Sequence, residues 1–240
     1  MHACRAGVGR ALRQVDDSIM PLRCVFCGVR TVLPEKRMCA ACHRDLPWIE
    51  RACLRCGLPV ATGLPCGVYC AACQARKPPF QATVAPLLYE FPVDAGLKAL
   101  KFGRKLHYAA AFGELLATQM DRLCPDIDAL LPVPLHWRRQ AVRGFNQATE
   151  LCKSISRHAA LPIVSGVTRR RATSYQSGLA AIERSRNLRH AFVVSRKLAF
   201  RHILIVDDVV TTGATTGQLA TALLQSGVKK LSVLAVARAV

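Results

Sequence analysis

The residues with the most recognisable chemistry lie near the end of the chain, where residues 206–215 read Val-Asp-Asp-Val-Val-Thr-Thr-Gly-Ala-Thr. The apolar run before this segment predicts a buried strand, and the residues after it predict a helix. Asp207 and Asp208 can accept hydrogen bonds from two vicinal hydroxyls, or hold a metal ion through water. The N–H groups at the start of the helix can bind a phosphate, which the helix dipole favours. A diol beside a phosphate indicates a ribose 5-phosphate ligand.

The residues between the strand and the helix are the candidate phosphate ligands. Hydroxyl groups add hydrogen-bond donors to the backbone N–H groups, and a glycine permits a close approach of the backbone. We therefore predict a phosphate-binding loop made of Thr211, Thr212, Gly213, Ala214 and Thr215. The alternative interpretation, a capped helix that follows a core strand, explains neither the acid pair nor the run of threonines.

Cysteines form the second motif with recognisable chemistry. The chain has 12 of them, and ten precede residue 74. Residues 1–13 are basic but lack the apolar stretch of a secretory signal, so disulfides are not expected. Two Cys-x2-Cys pairs can place four thiolates around one tetrahedral ion, with a glycine of positive φ after the turn. We predict structural zinc at two Cys4 sites, one formed by Cys24, Cys27, Cys39 and Cys42, the other by Cys53, Cys56, Cys70 and Cys73.

The pattern leaves the metal and the pairing of the cysteines open. Iron–sulfur ligation uses the same thiolates, and reduced buried cysteines would need no metal. The two sites can also be interleaved along the chain, and Cys66 competes with Cys70 as a ligand of the second site. The number of zinc ions is one or two, because the second site could be degenerate. Cys4, Cys124 and Cys152 are expected to be ordinary thiols.

The chain is strongly basic, with 34 Lys and Arg against 15 Asp and Glu and a formal net charge of +19. This excess argues against an enzyme for cationic substrates and predicts phosphates, nucleic acid or an anionic membrane surface as partners. No apolar run approaches the ~20 residues that cross a bilayer, so we expect no membrane span. Residues 165–201 hold nine Lys or Arg and one acid, and either clamp phosphates or only keep the surface solvated. The densest patch, a candidate nucleic-acid contact, is Arg169, Arg170 and Arg171.

The elements that position these groups change character at about residue 80. Residues 22–80 are rich in Cys, Pro, Gly and Arg and need a staple to fold, whereas strands and helices alternate afterwards. We predict an N-terminal helix or arm over 1–21, a zinc-binding domain over 22–80 and a second domain over 81–240. The predicted strands are 83–89, 129–133, 203–206 and 231–237, and the predicted helices are 95–102, 108–122, 146–158 and 215–225. The final strand–helix–strand unit predicts an α/β fold with a parallel sheet.

Segment 206–215 resembles the signature of type I phosphoribosyltransferases, which bind phosphoribosyl pyrophosphate (PRPP). Together with the cysteine pairs, further motifs in their order resemble the ComF/GntX family: Leu-Lys-Ala-Leu-Lys-Phe at 97–102, Leu-Pro-Val-Pro-Leu-His at 131–136, Arg-Gly-Phe-Asn-Gln at 143–147, and Tyr-Gln-Ser-Gly-Leu at 175–179 with Arg184 and Asn187. The additional Cys66 departs from the family pattern.

The resemblance implies a type I phosphoribosyltransferase-like parallel sheet with flanking helices and a hood, preceded by a small zinc-ribbon domain. It assigns the ribose hydroxyls of PRPP to Asp207 and Asp208, and the 5-phosphate to residues 211–215. Arg143 is either a pyrophosphate partner or part of a solvated helix face. Mg²⁺ would accompany PRPP. The pyrophosphate loop maps to Val133, Pro134 and Leu135.

These expectations leave three functions open. A transferase would displace pyrophosphate from the anomeric carbon with a nitrogen nucleophile, but no residue identifies a general base, so catalytic residues and acceptor stay unassigned. A binding protein of the competence machinery would handle single-stranded DNA with other DNA-uptake proteins, with PRPP as ligand or regulator. A scaffold with a vestigial site is the third. We expect a cytoplasmic protein in which His136 is the histidine to test, while Trp48 and Trp137 pack.

Overall fold

A computed structural model describes residues 22–31, 37–61, 63, 67–123, 125–170 and 191–240. The chain forms two compact units, Met1–Leu46 and Pro47–Val240. Residue 80, where the composition changes, therefore lies inside the second unit. None of the described helices is long and apolar enough to cross a membrane. The predictions for the arm over 1–21, for Cys4, Cys66 and Cys124, and for residues 171–190 with Arg171 fall outside the described residues.

The described part of the first unit is a single cysteine ribbon. Arg23 and Arg30 form an antiparallel bridge, and the turn between them holds the first cysteine pair. Gly28 ends that turn with a φ of 74°, a conformation that glycine adopts without strain. Cys39 is the N-cap residue of helix α1 (Ala40–Arg44), which carries the fourth cysteine of the ribbon.

The second unit begins with a ribbon of the same local design. Ala52 and Pro59 form its antiparallel bridge, and Gly57 has a φ of 68°. Cys70 is the N-cap residue of the short helix α2 (Ala71–Ala75). Each ribbon is thus a turn with one cysteine pair, followed later by a helix that starts at the second pair.

A parallel sheet follows the second ribbon. The remaining elements are β1 (Ala82–Val84), β2 (Leu87–Leu88), α3 (Val93–Gly103), α4 (His107–Thr118), a 3-10 turn (Met120–Arg122), β3 (Ala129–Pro132), α5 (Trp137–Arg143), α6 (Gln147–Ala159), β4 (Val167–Arg169), β5 (Phe192–Val194), β6 (His202–Val210), α7 (Ala214–Gln225) and β7 (Lys230–Arg238). The strand order is β1–β7–β6–β3, β2 also pairs with β7, and all these pairs are parallel. β4 and β5 form a separate antiparallel pair. The predicted parallel sheet with flanking helices after a cysteine-rich ribbon is confirmed.

Two strands differ from the sequence prediction. The strand expected over 83–89 is interrupted at Pro86, whose missing N–H cannot join the ladder, although β1 and β2 pair with β7 in one register. β6 runs on to Val210, so Asp207 and Asp208 lie within the strand rather than after it. The acid pair is therefore held by the hydrogen-bond ladder of the sheet.

Helix α6 connects the core to the site. It packs against β3 and β6 on one side and against α4 on the other. Gly113 of α4 lies so close to α6 that a Cβ built on it would overlap the side chain of Ser154. The α4–α6 contact therefore fixes α6, whose first residue, Gln147, is buried at the end of β6.

Replacing Gly113 with Ala should lower the free energy of unfolding by about 1–3 kcal/mol, because the added methyl group must push α4 away from α6. The matched control is Gly217→Ala in α7, where no atom of the described residues lies within 4 Å of the added Cβ. That substitution should raise the free energy of unfolding by up to about 1 kcal/mol through helix propensity alone. Urea unfolding measures both effects, and equal changes would contradict the close helix packing.

Candidate functional site

The carboxyl ends of β3 and β6 bring two predicted ligand loops together. The strands pair in parallel with Pro132 opposite Val206, and the N–H of Val133 donates to the carbonyl of Val206 at 2.9 Å. The loop of residues 133–135 therefore begins directly beside Asp207. Because both segments leave the same edge of one parallel sheet, they can face one ligand.

Asp208 is buried in a polar network that the sequence pattern does not predict. The side-chain amide of Gln147 donates to Oδ1 of Asp208 at 3.0 Å, and Nζ of Lys101 forms an ion pair with Oδ2. Arg143 in turn donates to Oε1 of Gln147. The Lys101 side chain is only 19% exposed, so its charge is directed at the site and not at bulk water. The three sequence motifs that hold these residues thus meet at one place.

Lys101 and Gln147 stand inside motifs noted in the sequence, but neither was predicted as a site residue. A signal existed for Lys101, since it follows the buried Leu97 by four residues and therefore lies on the same side of α3. No comparable signal existed for Gln147. It directly follows the N-cap Asn146, and only the packing of α6 against the sheet turns its amide toward Asp208.

Asp207 lies half-buried beside Asp208. Its Oδ1 accepts the backbone N–H of Asp208 at 2.9 Å. Burial raises the pKa of Asp207 well above its ordinary value, and the negative charge of Asp208 adds to this, while Lys101 opposes it. An ionised carboxylate in these surroundings costs free energy, so Asp207 gains most from a ligand that donates hydrogen bonds or brings a cation.

The predicted phosphate loop leads into α7, as expected. Gly213 is the N-cap residue with a φ of 73°. The hydroxyl of Thr212 accepts the N–H of Ala214 at 3.3 Å, and the hydroxyl of Thr216 donates to the carbonyl of Gly213 at 3.0 Å. α7 has 12 residues, so its first turn carries the positive end of a helix dipole. Of the predicted ligands, two are exposed and three half-buried: Thr211 and Thr212, then Gly213, Ala214 and Thr215.

A cleft of about 280 Å³ opens at the end of β3. Pro134 and Leu135 of the predicted pyrophosphate loop line it, together with Arg169 of β4. Val133 is instead buried in the core, and its carbonyl accepts the side-chain amide of Asn146 at 3.0 Å. The structure therefore brings Pro134, Leu135 and Arg169 together, whereas Val133 supports the loop from inside.

The predicted cationic residues have different surroundings. Arg143 is half-buried, and its guanidinium lies 5.6 Å from the centre of the Phe102 ring. Burial lowers the pKa of Arg143, and the charge of Asp208 opposes that effect. Burial also lowers the pKa of Arg169, while Arg170 is exposed.

Two aromatic residues after the pyrophosphate loop have roles that differ from expectation. The prediction that Trp137 packs inside is wrong, since 63% of it is exposed, and the guanidinium of Arg138 lies 5.2 Å from the centre of its ring. His136 is buried, and its Nδ1 accepts the N–H of Arg138 at 3.3 Å. His136 therefore caps α5, which explains its place without a ligand.

A Ser–His–Asp arrangement also exists, although the sequence spacing does not reveal it. Nδ1 of His202 lies 2.8 Å from Oδ1 of Asp126, and Nε2 lies 3.0 Å from Oγ of Ser232. Hydrogen bonds from Lys230 and His202 lower the pKa of Asp126 to about 2. Ser232 is fully buried, so no substrate reaches its hydroxyl, and the network serves to satisfy buried polar groups.

The cysteines form two clusters in chain order, which excludes the interleaved pairing. Sulfur atoms within each cluster lie within 4.8 Å of one another. The distance is 3.7 Å between Cys27 and Cys39 and 3.6 Å between Cys56 and Cys70, close to the ~3.8 Å expected for thiolates around tetrahedral Zn²⁺. Cluster 1 is Cys24, Cys27, Cys39 and Cys42, and cluster 2 is Cys53, Cys56, Cys70 and Cys73.

The thiols of each cluster differ in acidity. Burial opposes ionisation of Cys24 and Cys53, but neighbouring backbone N–H groups donate to their sulfur atoms and lower the pKa to about 6 and about 7. Burial raises the pKa of Cys42 and Cys73, and the adjacent thiols add to this. A cation is therefore needed to ionise each full cluster, and the four-sulfur donor set fits zinc.

Known proteins share both the ribbons and the rest of the chain. Residues 15–74 match the family model of the double zinc ribbon domain. Over 221 residues the chain is 36% identical to the DNA utilization protein YhgH of Escherichia coli K12, and this match covers 89% of the chain and 96% of that protein. The chain belongs to the YhgH family.

Competence proteins extend this family. Competence protein F of Haemophilus influenzae is 28% identical over 226 residues, which cover 90% of the chain and 97% of that protein. Competence protein ComFC of Bacillus subtilis is 25% identical over 202 residues, which cover 81% and 80%. These relatives confirm the resemblance to the ComF/GntX family.

Solved structures with weaker similarity include a PRPP amidotransferase and a phosphoribosyl transferase. The glutamine PRPP amidotransferase from B. subtilis is 15% identical with a TM-score of 0.41, and the match covers 59% of this chain and 30% of that one. The hypoxanthine phosphoribosyl transferase of Trypanosoma cruzi is 16% identical with a TM-score of 0.32, covering 54% and 71%.

Asp207→Asn should raise the melting temperature at pH 7, because it removes the cost of the raised pKa of Asp207 while keeping an oxygen for the N–H of Asp208. An Asp with a raised folded-state pKa destabilises the fold increasingly above its unfolded-state pKa of about 3.9, until pH exceeds the folded-state value. The difference in Tm between variant and wild type should therefore be smallest near pH 4 and largest at neutral pH. Thermal scans across this range check it, and a difference independent of pH would contradict ionisation as the cause.

Proposed function

We propose that this chain binds PRPP and transfers its phosphoribosyl group to a nitrogen nucleophile with release of pyrophosphate. The pairing of Pro132 with Val206 carries the proposal, because it sets the acid pair, the threonine loop and the 133–135 loop along one edge of the sheet. A ligand with a phosphate, a diol and a second anionic group fits that edge.

Each part of PRPP has a counterpart at this edge. The N–H groups and hydroxyls of residues 211–215 hold the 5-phosphate, and the carboxylates of Asp207 and Asp208 accept the ribose hydroxyls. Lys101 pairs with Asp208 in the free protein, and its ammonium has further donors for an anionic ligand group. The pyrophosphate is assigned to Pro134, Leu135, Arg143 and Arg169.

The transfer exchanges one bond for another at the anomeric carbon. The bond to the pyrophosphate oxygen breaks as the bond to nitrogen forms, and the nitrogen releases a proton to solvent. Asp207 and Asp208 keep the sugar oriented while it carries positive charge, and Arg143 and Arg169 attract the leaving group. When bound with PRPP, Mg²⁺ would neutralise part of the pyrophosphate charge.

Calorimetric titration with Mg-PRPP tests the ligand site. Asp207→Ala combined with Asp208→Ala should weaken binding by about 100-fold or more, because charge-assisted hydrogen bonds to the ribose are lost. Lys101→Met should weaken it by about tenfold. Unchanged affinity of the double aspartate variant would overturn the site, and pyrophosphate release that depends on an added nitrogen nucleophile would establish turnover.

The matched control for Lys101 lies on the same helix. Lys98 of α3 pairs with Asp94 at 2.7 Å, and its side chain is mostly exposed. Lys98→Met removes the same charge from the chain without touching Asp208, so PRPP affinity should stay unchanged. Equal losses in the two variants would mean that net charge, and not the Lys101 contact, determines affinity.

A second candidate function is binding of single-stranded DNA beside this site. This proposal rests on the α5 platform, which consists of Trp137, Arg138 and Arg143 of α5 together with Phe102 of α3. Phe102 and Trp137 are 77% and 63% exposed, and an arginine guanidinium lies within 5.6 Å of each ring centre. Such pairs stack bases and attract phosphates. The names of the relatives, DNA utilization protein and competence protein, and the net charge of +19 also favour it.

Trp137→Ala should weaken binding of a fluorescent oligo-dT about tenfold, because one stacked base is lost. The salt dependence should not change, since the ring is uncharged, whereas Arg138→Ala should flatten the slope of log K against log salt by about 0.7. The control is Phe91→Ala, an 81% exposed aromatic that precedes α3. The α5 platform is not the contact if this control weakens binding as much as Trp137→Ala. Fluorescence anisotropy provides the measurement.

A further inference from the structure

Arg238, the last residue of β7, connects cluster 2 to the phosphate loop. Its side chain is buried, and Nε donates to the carbonyl of Cys56 at 3.1 Å. Nη1 donates to the carbonyl of Val210 at 3.0 Å and to the carbonyl of Thr211, where the phosphate loop begins. One guanidinium thus joins the first cysteine turn of cluster 2 to the end of β6.

The same cysteine turn also docks on β1. The N–H of Thr83 donates to the carbonyl of Leu54 at 3.0 Å, and its hydroxyl donates to the carbonyl of Arg55 at 2.6 Å. With Cys56, three successive carbonyls of the turn are therefore bound by the sheet. A Cβ on Gly57 would come within 3.1 Å of the Thr83 methyl group, so the packing is close. A shift of this turn would therefore also disturb the sheet at β1.

We propose that metal binding at cluster 2 strengthens ligand binding at the phosphate loop, and that Arg238 transmits this effect as a positioning residue. Metal fixes the turn at Cys56, whose carbonyl orients the guanidinium, which in turn holds the carbonyls of Val210 and Thr211. Without metal, Arg238 loses a fixed acceptor and the loop loses a restraint. Linkage requires the reverse effect too, so a loop ligand raises the metal affinity of cluster 2. The part that concerns PRPP rests on the proposed function.

The geometry requires arginine rather than a generic cation. Nε and Nη1 of one planar group point at carbonyls from two different segments, Cys56 and the end of β6. Lysine at position 238 would keep the positive charge, but its single nitrogen cannot reproduce this fork. Arg238→Lys therefore removes the hydrogen-bonded link between the two segments and keeps the positive charge.

Cys70→Ser with Cys73→Ser tests the metal end of the connection. These substitutions remove two ligands of cluster 2 and leave the carbonyl of Cys56 in place. In ligand-free, zinc-treated protein, amides of residues 209–216 should exchange with deuterium at least about fivefold faster than in wild type, with α6 as internal reference. PRPP affinity should fall at least about fivefold.

The matched control is Cys39→Ser with Cys42→Ser, which removes the corresponding cysteine pair from cluster 1. Cys39 and Cys70 are both N-cap residues of short ribbon helices, so the two variants change equivalent positions. The control should leave the exchange of residues 209–216 and PRPP affinity unchanged. A control that accelerates loop exchange as much as the cluster 2 variant would overturn the proposal.

Arg238→Lys tests the other end. This substitution should accelerate amide exchange of residues 209–216. The amount of zinc that a chelator removes should still correspond to two occupied clusters. Adding Cys70→Ser and Cys73→Ser to Arg238→Lys should then cause no further acceleration, because the connection is already broken. If the cluster 2 substitutions act equally in both backgrounds, Arg238 is not the connection and the proposal fails.

The exchange measurements need no ligand, which separates the two proposals. A wild-type chain that binds no PRPP overturns only the proposed function, while loop exchange still decides the coupling. If Arg238→Lys does not fold, zinc can be titrated into the Cys39→Ser, Cys42→Ser chain, in which only cluster 2 keeps four cysteines. The amide exchange rate of residues 209–216 should then fall as zinc occupancy rises. A rate that does not change with zinc would overturn the proposal.

Discussion

The parallel pairing of β6 with β3 on one side and β7 on the other is the constraint on which the rest of the structure depends. β6 is apolar while it crosses the core, where Ile203 and Leu204 are fully buried. The strand becomes polar only where it leaves the core at the carboxyl end of the sheet, and Asp207 and Asp208 lie there. β3 delivers the 133–135 loop to the same edge, and β7 delivers Arg238. Register thus determines which groups a ligand can meet.

The acid pair is asymmetric in its surroundings. Asp208 is buried with Lys101 and Gln147, which offset much of the cost of its charge. Burial and the charge of Asp208 raise the pKa of Asp207, so ionisation of Asp207 is unfavourable without a ligand. Sites that act on ligands often contain such groups, because a bound hydroxyl or cation then recovers the free energy.

The two cysteine ribbons share a local design and differ in their attachments. In both, a cysteine turn ends at a glycine of positive φ, and a short helix starts at the second pair. The turn of cluster 2 is hydrogen-bonded by Thr83 and Arg238, so it belongs to the unit that contains the sheet. The amino-acid composition changes at about residue 80 because a ribbon folds around a metal instead of an apolar core. The boundary between the two compact units lies elsewhere, because hydrogen bonds and packing determine it.

Local patterns were sufficient to predict the cysteine clusters, the parallel sheet, the loop that leads from β6 into a helix and the Asn146 cap. Each of these depends on spacing within a turn or on the periodicity of one element. The partners of Asp208 and Arg238 did not follow from spacing, because Gln147 is 61 residues from Asp208, and Cys56 is 182 residues from Arg238. Such contacts, like the exposure of Trp137 and the burial of Val133, arise only when elements pack, since packing decides which face of each element meets another.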